Sequence, residues 1–288
     1  MVDDAEQQSG TPLPDGLHLP AELPLTGGNA SAGVVRLGDT VRKPWLPGTP
    51  AVHELLRVLA TADPALRLPV PGEPPRDATG RQVLAFLPGE LAMLRPPMTT
   101  PELHGVGALI RRIHDASPTP DQWMSAGRPD FDPPLLPAHD RHGAPAAPDL
   151  IGHHDLAPWN LVVDEGADPA HPRFAFIDWN GAGPTTRAWE LAYALPAFAV
   201  AAPDSEPAVL APRMRALLDG YDAAPELRGI AVDLLAPRAA AMHALLRDAH
   251  RDGVEPWGSM FASGHGAHWR GVADLLAAHP DEWMRALV

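Results

Sequence analysis

Three polar residues flank two short apolar runs in the middle of the chain. Asp155 and Asn160 precede Leu161-Val162-Val163, and Asp178 follows Phe174-Ala175-Phe176-Ile177. If the two runs pair as a β-hairpin, Asn160 and Asp178 stand on either side of it and their oxygens can converge on one hard cation. Carboxylate and amide oxygens suit Mg²⁺, which keeps several waters and shares its remaining positions with phosphates. Asp155, on the same loop as Asn160, can then face an incoming hydroxyl. A carboxylate beside the nucleophile, with metal ligands opposite a triphosphate, is the arrangement that phosphoryl transfer uses. An isolated Asp-x-x-x-x-Asn carries little information, since any polar loop can contain it. The combination of His153-x-Asp155-x-x-x-x-Asn160, two apolar strands and Ile177-Asp178-Trp179 is specific.

Elements on both sides must hold these residues in place. Residues 1–20 read as a loose tail. Leu23-Pro24-Leu25-Thr26, the small-residue loop Gly27 to Gly33 and Val34-Val35-Arg36-Leu37 read as strand, loop and strand. Gly38-Asp39 marks a tight turn, and Thr40-Val41-Arg42-Lys43 returns as a third strand that Pro44 stops. Thr49-Pro50 opens a helix whose Val52, Leu55, Leu56 and Leu59 recur at helical spacing. Leu66 to Pro71 and Gln82 to Phe86 look like further strands, and Leu87-Pro88-Gly89-Glu90 like a hinge. Beyond it, Leu103, Val106, Ile110 and Ile113 mark one helix face. Ser117 to Pro148 reads as a long irregular connection, and helices are expected at 190–199, 210–218, 227–247 and 269–278. The outline is a small β-rich lobe at 21–88 and a larger, mainly helical lobe at 89–288.

Composition bounds the chemistry. The chain has 288 residues, 36 acidic against 22 basic, and a formal charge of −14. That length can bury a substantial core. The absence of cysteine excludes disulfide scaffolds, thiolate metal sites and a cysteine nucleophile. The acid excess argues against a nucleic-acid or anionic-membrane partner, because phosphate contacts need a basic surface. No secretory pattern and no apolar run of membrane-span length is visible, so the cytoplasm is the expected compartment. A single lysine, Lys43, stands among the basic residues.

The motif around Asp155, Asn160 and Asp178 resembles the catalytic loop and metal-binding motif of the aminoglycoside phosphotransferase family. The match continues in order through Gly27-Gly28-Asn29, Gly38 to Pro44, Leu84 to Gly89, Leu109 to His114 and Ala182 to Ala192, covering roughly residues 23 to 195. The resemblance implies an α+β fold of the bilobal protein-kinase-like type, with a small antiparallel sheet in the N-lobe. It implies an ATP- and Mg²⁺-dependent transfer to a hydroxyl of a small molecule. Asp155 would orient or deprotonate that hydroxyl, and Asn160 and Asp178 would hold the metal. His153 would brace the loop. Gly28, Asn29 and Ser31 would cover the triphosphate, and Phe86 and Leu87 would pass beside the adenine. A basic residue on the third strand should contact the phosphates. Strand alternation puts Lys43 on a face with Val41 and Arg42 on a face with Thr40, and both are candidates. His53 and Glu54 are the candidates for a partner on the following helix. Asn180 and Ala157 depart from the family's usual residues, and neither is assigned to chemistry.

Two rivals belong to other classes: a kinase-like nucleotide-binding regulatory protein without transferase activity, and a metal-dependent hydrolase built on His153-His154-Asp155. The net negative charge suits a cationic acceptor such as an aminoglycoside by steering alone. It does not locate acids in a cleft. Trp257, Trp269 and Trp283 are expected to pack in the core rather than to bind.

Overall fold

The computed structural model describes residues 21–25, 33–140, 142–166, 168 and 172–288. Its N-terminal part is a twisted antiparallel sheet of β1 (Leu23–Pro24), β2 (Val35–Leu37), β3 (Thr40–Lys43), β4 (Pro71–Arg76) and β5 (Gln82–Ala85), in the order β1-β2-β3-β5-β4. Helix α1 (Thr49–Ala62) lies between β3 and β4. Its proline falls in the first turn, where a missing N–H costs no helical bond. The face predicted from spacing is the buried one: Val52, Leu55, Leu56 and Leu59 are at most 6% exposed.

One strand differs from expectation. Leu66 to Val70 joins no strand: only its last carbonyl, at Val70, accepts from the Ala85 N–H of β5 at 2.8 Å, and ladder pairing begins at Pro71, running to Arg76 against β5 with a register shift. Leu66 and Leu68 are buried all the same. They pack as an apolar connector, and an apolar run alone cannot say whether its backbone finds a ladder.

The chain then crosses to the second lobe. β6 (Glu90–Leu91) pairs with β8 (Leu161–Asp164), which pairs with β9 (Arg173–Phe176). Strand β7 (Leu150–Gly152) pairs with β10 (Gly183–Thr185). Around these short ladders pack α2 (Thr100–Ala116), α3 (Pro120–Ser125), α4 (Arg187–Ala199), α5 (Pro207–Gly220), α6 (Pro225–Asp252), α7 (Trp257–Met260), α8 (Gly266–Ala278) and α9 (Pro280–Leu287), with a π-helical turn at Phe261–His265 before α8. Helices α2 and α3 both start with capping boxes, Thr99 with Glu102 and Thr119 with Gln122, which satisfy otherwise orphaned N–H groups. Helix α9 was not foreseen; its Trp283 is 1% exposed and anchors it.

Helix α2 crosses α5 so closely that a Cβ at Gly107 would collide with the Leu217 carbonyl. By length and composition alone α6 could cross a membrane. In this fold its Ala231, Leu234, Leu235 and Ala239 are buried, and it packs along α4 and α8.

Candidate active site

The catalytic-loop candidates sit between β7 and β8, where the chain leaves one ladder and enters another. His153 is fully buried; its Nε2 donates to the Ile177 carbonyl at 3.0 Å, and its Nδ1 accepts from the Asp155 N–H at 3.2 Å. One imidazole thus ties the loop to the segment carrying Asp178, and its ring packs on Trp179 and Phe176. Bracing is its observed part.

Asp155 is held by three donors. Its Oδ2 accepts from Asn160 Nδ2 at 2.7 Å and Trp159 Nε1 at 3.2 Å, while Oδ1 accepts from the Tyr193 hydroxyl at 2.8 Å. Asn160 is buried, and its amide also donates to the Asp155 carbonyl at 3.0 Å. With its N–H groups committed to Asp155, the oxygen of Asn160 is the group left for a cation. Asp178 follows β9 in a left-handed conformation, φ 60° and ψ 59°, which a non-glycine residue adopts at some cost and which is common at functional sites. The Ile177 N–H donates to the Asn160 carbonyl at 2.9 Å, so the two proposed metal-ligand residues are joined through the ends of one hairpin.

Lys43 Nζ lies 2.6 Å from Asp178 Oδ1, with the lysine side chain 8% exposed. Both line a cavity of about 370 Å³ together with Asn160, Phe86, Leu87 and Val41. The lining is mainly apolar, and Lys43, Asn160 and Asp178 are among its polar residues. Asp178 already holds a cation there, and its carboxylate with the Asn160 oxygen is a hard-oxygen set that fits Mg²⁺.

Arg42 turns the other way. Its guanidinium meets Thr40 Oγ1 at 2.6 Å and Asp77 Oδ2 at 3.4 Å, and it does not line the cavity. Neither helix candidate reaches Lys43: His53 Nε2 is 3.1 Å from Gln82 Oε1, and Glu54 pairs with Arg128 at 3.3 Å. Burial pushes the His53 imidazole down, which favours its neutral form. Phe86 donates its N–H to the Asp39 carbonyl, and its ring carries the Arg36 guanidinium at 3.8 Å. Gly28, Asn29 and Ser31 lie outside the described residues.

Three contributors were missed in the sequence. Tyr193 and Arg238 are buried beside Asp155, the guanidinium 4.2 Å over the tyrosine ring. Burial pushes the Tyr193 hydroxyl well up, and the Asp155 charge adds to this, so it remains a donor. Glu190 stands behind the loop. Its Oε1 accepts from the His154 N–H at 2.5 Å, and its Oε2 lies 2.9 Å from His114 Nε2. Burial alone would raise its carboxyl; the His114 bond and nearby imidazoles outweigh that and hold it down at about 2. The one sequence signal for Glu190 was its place in the Ala182 to Ala192 segment that carries the resemblance, and nothing in the sequence links Arg238 to Asp155.

Among the described residues no three His, Asp or Glu side chains gather where a metal could sit. The hydrolase reading has no support in this geometry, since His154 turns its Nε2 to the Gly183 carbonyl at 3.2 Å.

Comparison with known proteins points one way. The model of a phosphotransferase enzyme family matches residues 135–227. The trifolitoxin immunity protein of Rhizobium leguminosarum bv. trifolii is 31% identical over 249 residues, covering 82% of this chain and 86% of that protein. Among solved structures, an ethanolamine kinase of Plasmodium vivax aligns with TM-score 0.56 at 9% identity, over 88% of this chain and 83% of its own. A choline/ethanolamine kinase family protein of Mesorhizobium loti aligns with TM-score 0.52 at 18% identity, over 90% of each chain. At these identities the two structures speak to the fold, a bilobal kinase-like one.

Proposed function

The chain belongs to the phosphotransferase enzyme family, and from that premise we propose that it transfers the γ-phosphoryl group of ATP to a hydroxyl of a small molecule. The observation that carries this reading is the Asp155 carboxylate, fixed by Tyr193, Trp159 and Asn160, the last two of which line the cavity that holds Lys43 and Asp178. Three donors from one loop and one helix fix its direction, and positioning is most of what a carboxylate contributes to such a transfer.

In this reading Lys43 would leave Asp178 for the α- and β-phosphates, and Asn160 and Asp178 would hold Mg²⁺. When bound, the metal neutralises charge on the triphosphate. The acceptor oxygen forms its bond to the γ-phosphorus as the bond to the bridging oxygen breaks. ADP leaves, and the hydroxyl proton passes to the Asp155 carboxylate. Gly28, Asn29 and Ser31 would close over the phosphates, and Phe86 and Leu87 would flank the base. The cytoplasm, where ATP is abundant, is the compartment proposed for such an enzyme. One relative is named an immunity protein against trifolitoxin, and protection from a toxin by phosphorylating it is the purpose proposed here for this chain.

The test is Asp155→Asn in purified protein. Transfer from ATP should fall by on the order of a thousandfold, while calorimetric ATP binding stays within about twofold. Undiminished turnover would sink the assignment.

A further inference from the structure

Helix α6 buries a stripe of Ala231, Leu234, Leu235 and Ala239, and Arg238 falls on the same stripe. The residue is 2% exposed. Its Nε and Nη1 have no hydrogen-bond partner, and its Nη2 makes one long contact, 3.4 Å to the His154 carbonyl. An arginine keeps its charge inside a protein, and a buried cation short of hydrogen bonds is costly. A leucine at this helical spacing would fill the stripe without that cost. Helix packing does not account for the charge, whereas its neighbours do.

Those neighbours converge on Asp155. The guanidinium lies 4.2 Å over the Tyr193 ring and 5.4 Å over that of Trp189. The Tyr193 hydroxyl in turn donates to Asp155 Oδ1 at 2.8 Å. A cation on the ring face draws electron density from the phenol and makes its O–H a stronger donor. Burial raises the Tyr193 hydroxyl and the Asp155 charge adds to that, while the Arg238 charge works the other way. Burial pulls the guanidinium itself down, and the Asp155 and Glu190 charges push back.

A second path runs through the backbone. His154 has φ 67°, a left-handed conformation in a non-glycine residue. Glu190 Oε1 accepts from its N–H, and Arg238 Nη2 faces its carbonyl, which belongs to the peptide leading into Asp155. An acid from α4 and a base from α6 thus grip the two ends of the residue before Asp155. Arg238 lines neither the cavity that holds Lys43 and Asp178 nor the smaller one beside Trp269. Its effect on a substrate must pass through Asp155.

We propose that Arg238 is a positioning residue for phosphoryl transfer: its buried charge, acting through Tyr193 and the His154 carbonyl, sets the direction of the Asp155 carboxylate toward the acceptor oxygen. The proposal rests on the phosphotransfer reading and deepens it by one residue of α6.

Water serves as the acceptor probe. Its oxygen bonds to the γ-phosphorus as the bond to the bridging oxygen breaks, giving ADP and phosphate, and its proton passes to Asp155. The full chain is given Mg·ATP, and ADP release is measured for the parent, Arg238→Gln and Arg238→Lys, each with and without Tyr193→Phe. Arg238→Gln should lower kcat about tenfold, the size of one desolvated cation–π contact, with the KM for ATP within about twofold. Arg238→Lys keeps the charge and should turn over at least about threefold faster than Arg238→Gln. In the Tyr193→Phe background, Arg238→Gln should cost no more than about threefold, because the hydroxyl it acts through is gone. A residue that only fills the core would show neither the recovery by lysine nor the dependence on Tyr193. If Arg238→Gln does not fold, seen as a lost melting transition, Arg238→Met takes its place as the neutral variant. Parental turnover in the neutral variant, equal turnover in the lysine and neutral variants, or a full loss that persists without the hydroxyl overturns the proposal. So does bound Mg·ATP that is never split, since no oxygen would then be poised at Asp155. Failure to bind ATP in calorimetry rejects instead the phosphotransfer reading on which the proposal rests.

Discussion

Arg42 and Lys43 are adjacent, equally charged and differently placed. Side chains alternate across β3, so Lys43 faces the cavity with Val41 while Arg42 shares its face with Thr40 and Asp77. The proposed phosphate contact separates them in a simple assay. Lys43→Ala should raise the KM for ATP and lower kcat/KM by about a hundredfold. Arg42→Ala should leave both within about twofold and cost at most about 1 kcal/mol of stability, the scale of a partly exposed ion pair. Equal losses in steady-state kinetics would contradict the assignment. The alternation could be read along the strand, because its period is two and Pro44 marks its end. The partner could not: Asp178 is 135 residues away, and the expected acid on α1 is replaced by apolar Val52 and Leu56 on the cavity wall.

Elements whose periodicity reports burial were the legible ones. Helix α1 and helix α2 show the apolar faces that spacing marks, and the two runs around Asp155 and Asp178 do pair as a hairpin, Leu161 opposite Phe176. Connections were less legible. Leu66 to Val70 has strand composition, yet the ladder starts at Pro71, since a backbone partner is supplied by β5 and not by local propensity. The crossing into the second lobe depends on Gly89, with φ 139° and a place for a Cβ only 2.5 Å from the Val163 carbonyl. Both the conformation and the contact exclude a side chain. Gly89→Ala should therefore destabilise the protein by about 2 kcal/mol or more, seen as a lower urea midpoint at unchanged m-value. A midpoint equal to the parent's would show that the two lobes can separate there at no cost.

Across the whole molecule, the loop that carries Asp155 is fastened to the helical lobe through one buried acid. Glu190 on α4 receives the His154 N–H and meets His114 of α2, whose other nitrogen lies 2.9 Å from the Tyr221 hydroxyl. Its carboxyl lies at about 2 in the fold against an ordinary 4.5. A depressed acid contributes stability above the unfolded value, and that contribution is lost as pH falls through the folded one. Glu190→Gln should thus be less stable than the parent at pH 7, by on the order of 3 kcal/mol. The gap should close between pH 4.5 and about 2 in denaturation curves. A gap independent of pH would assign the loss to packing alone. The chain's amino acids by themselves determined the chemistry on offer and the order of the elements, because motif spacing and hydrophobic period are local properties. They determined the loop with Asp155 and Asn160, the hairpin leading to Asp178 and a base on β3. Only the tertiary structure decided which charges meet: Lys43 with Asp178, Tyr193 with Asp155, and Arg238 over Tyr193. It also decided that Trp159 and Trp269, 110 residues apart in the chain, wall one cavity beside Asp155. Net charge sums over a surface, whereas recognition depends on the few groups that folding brings from distant segments into one cavity.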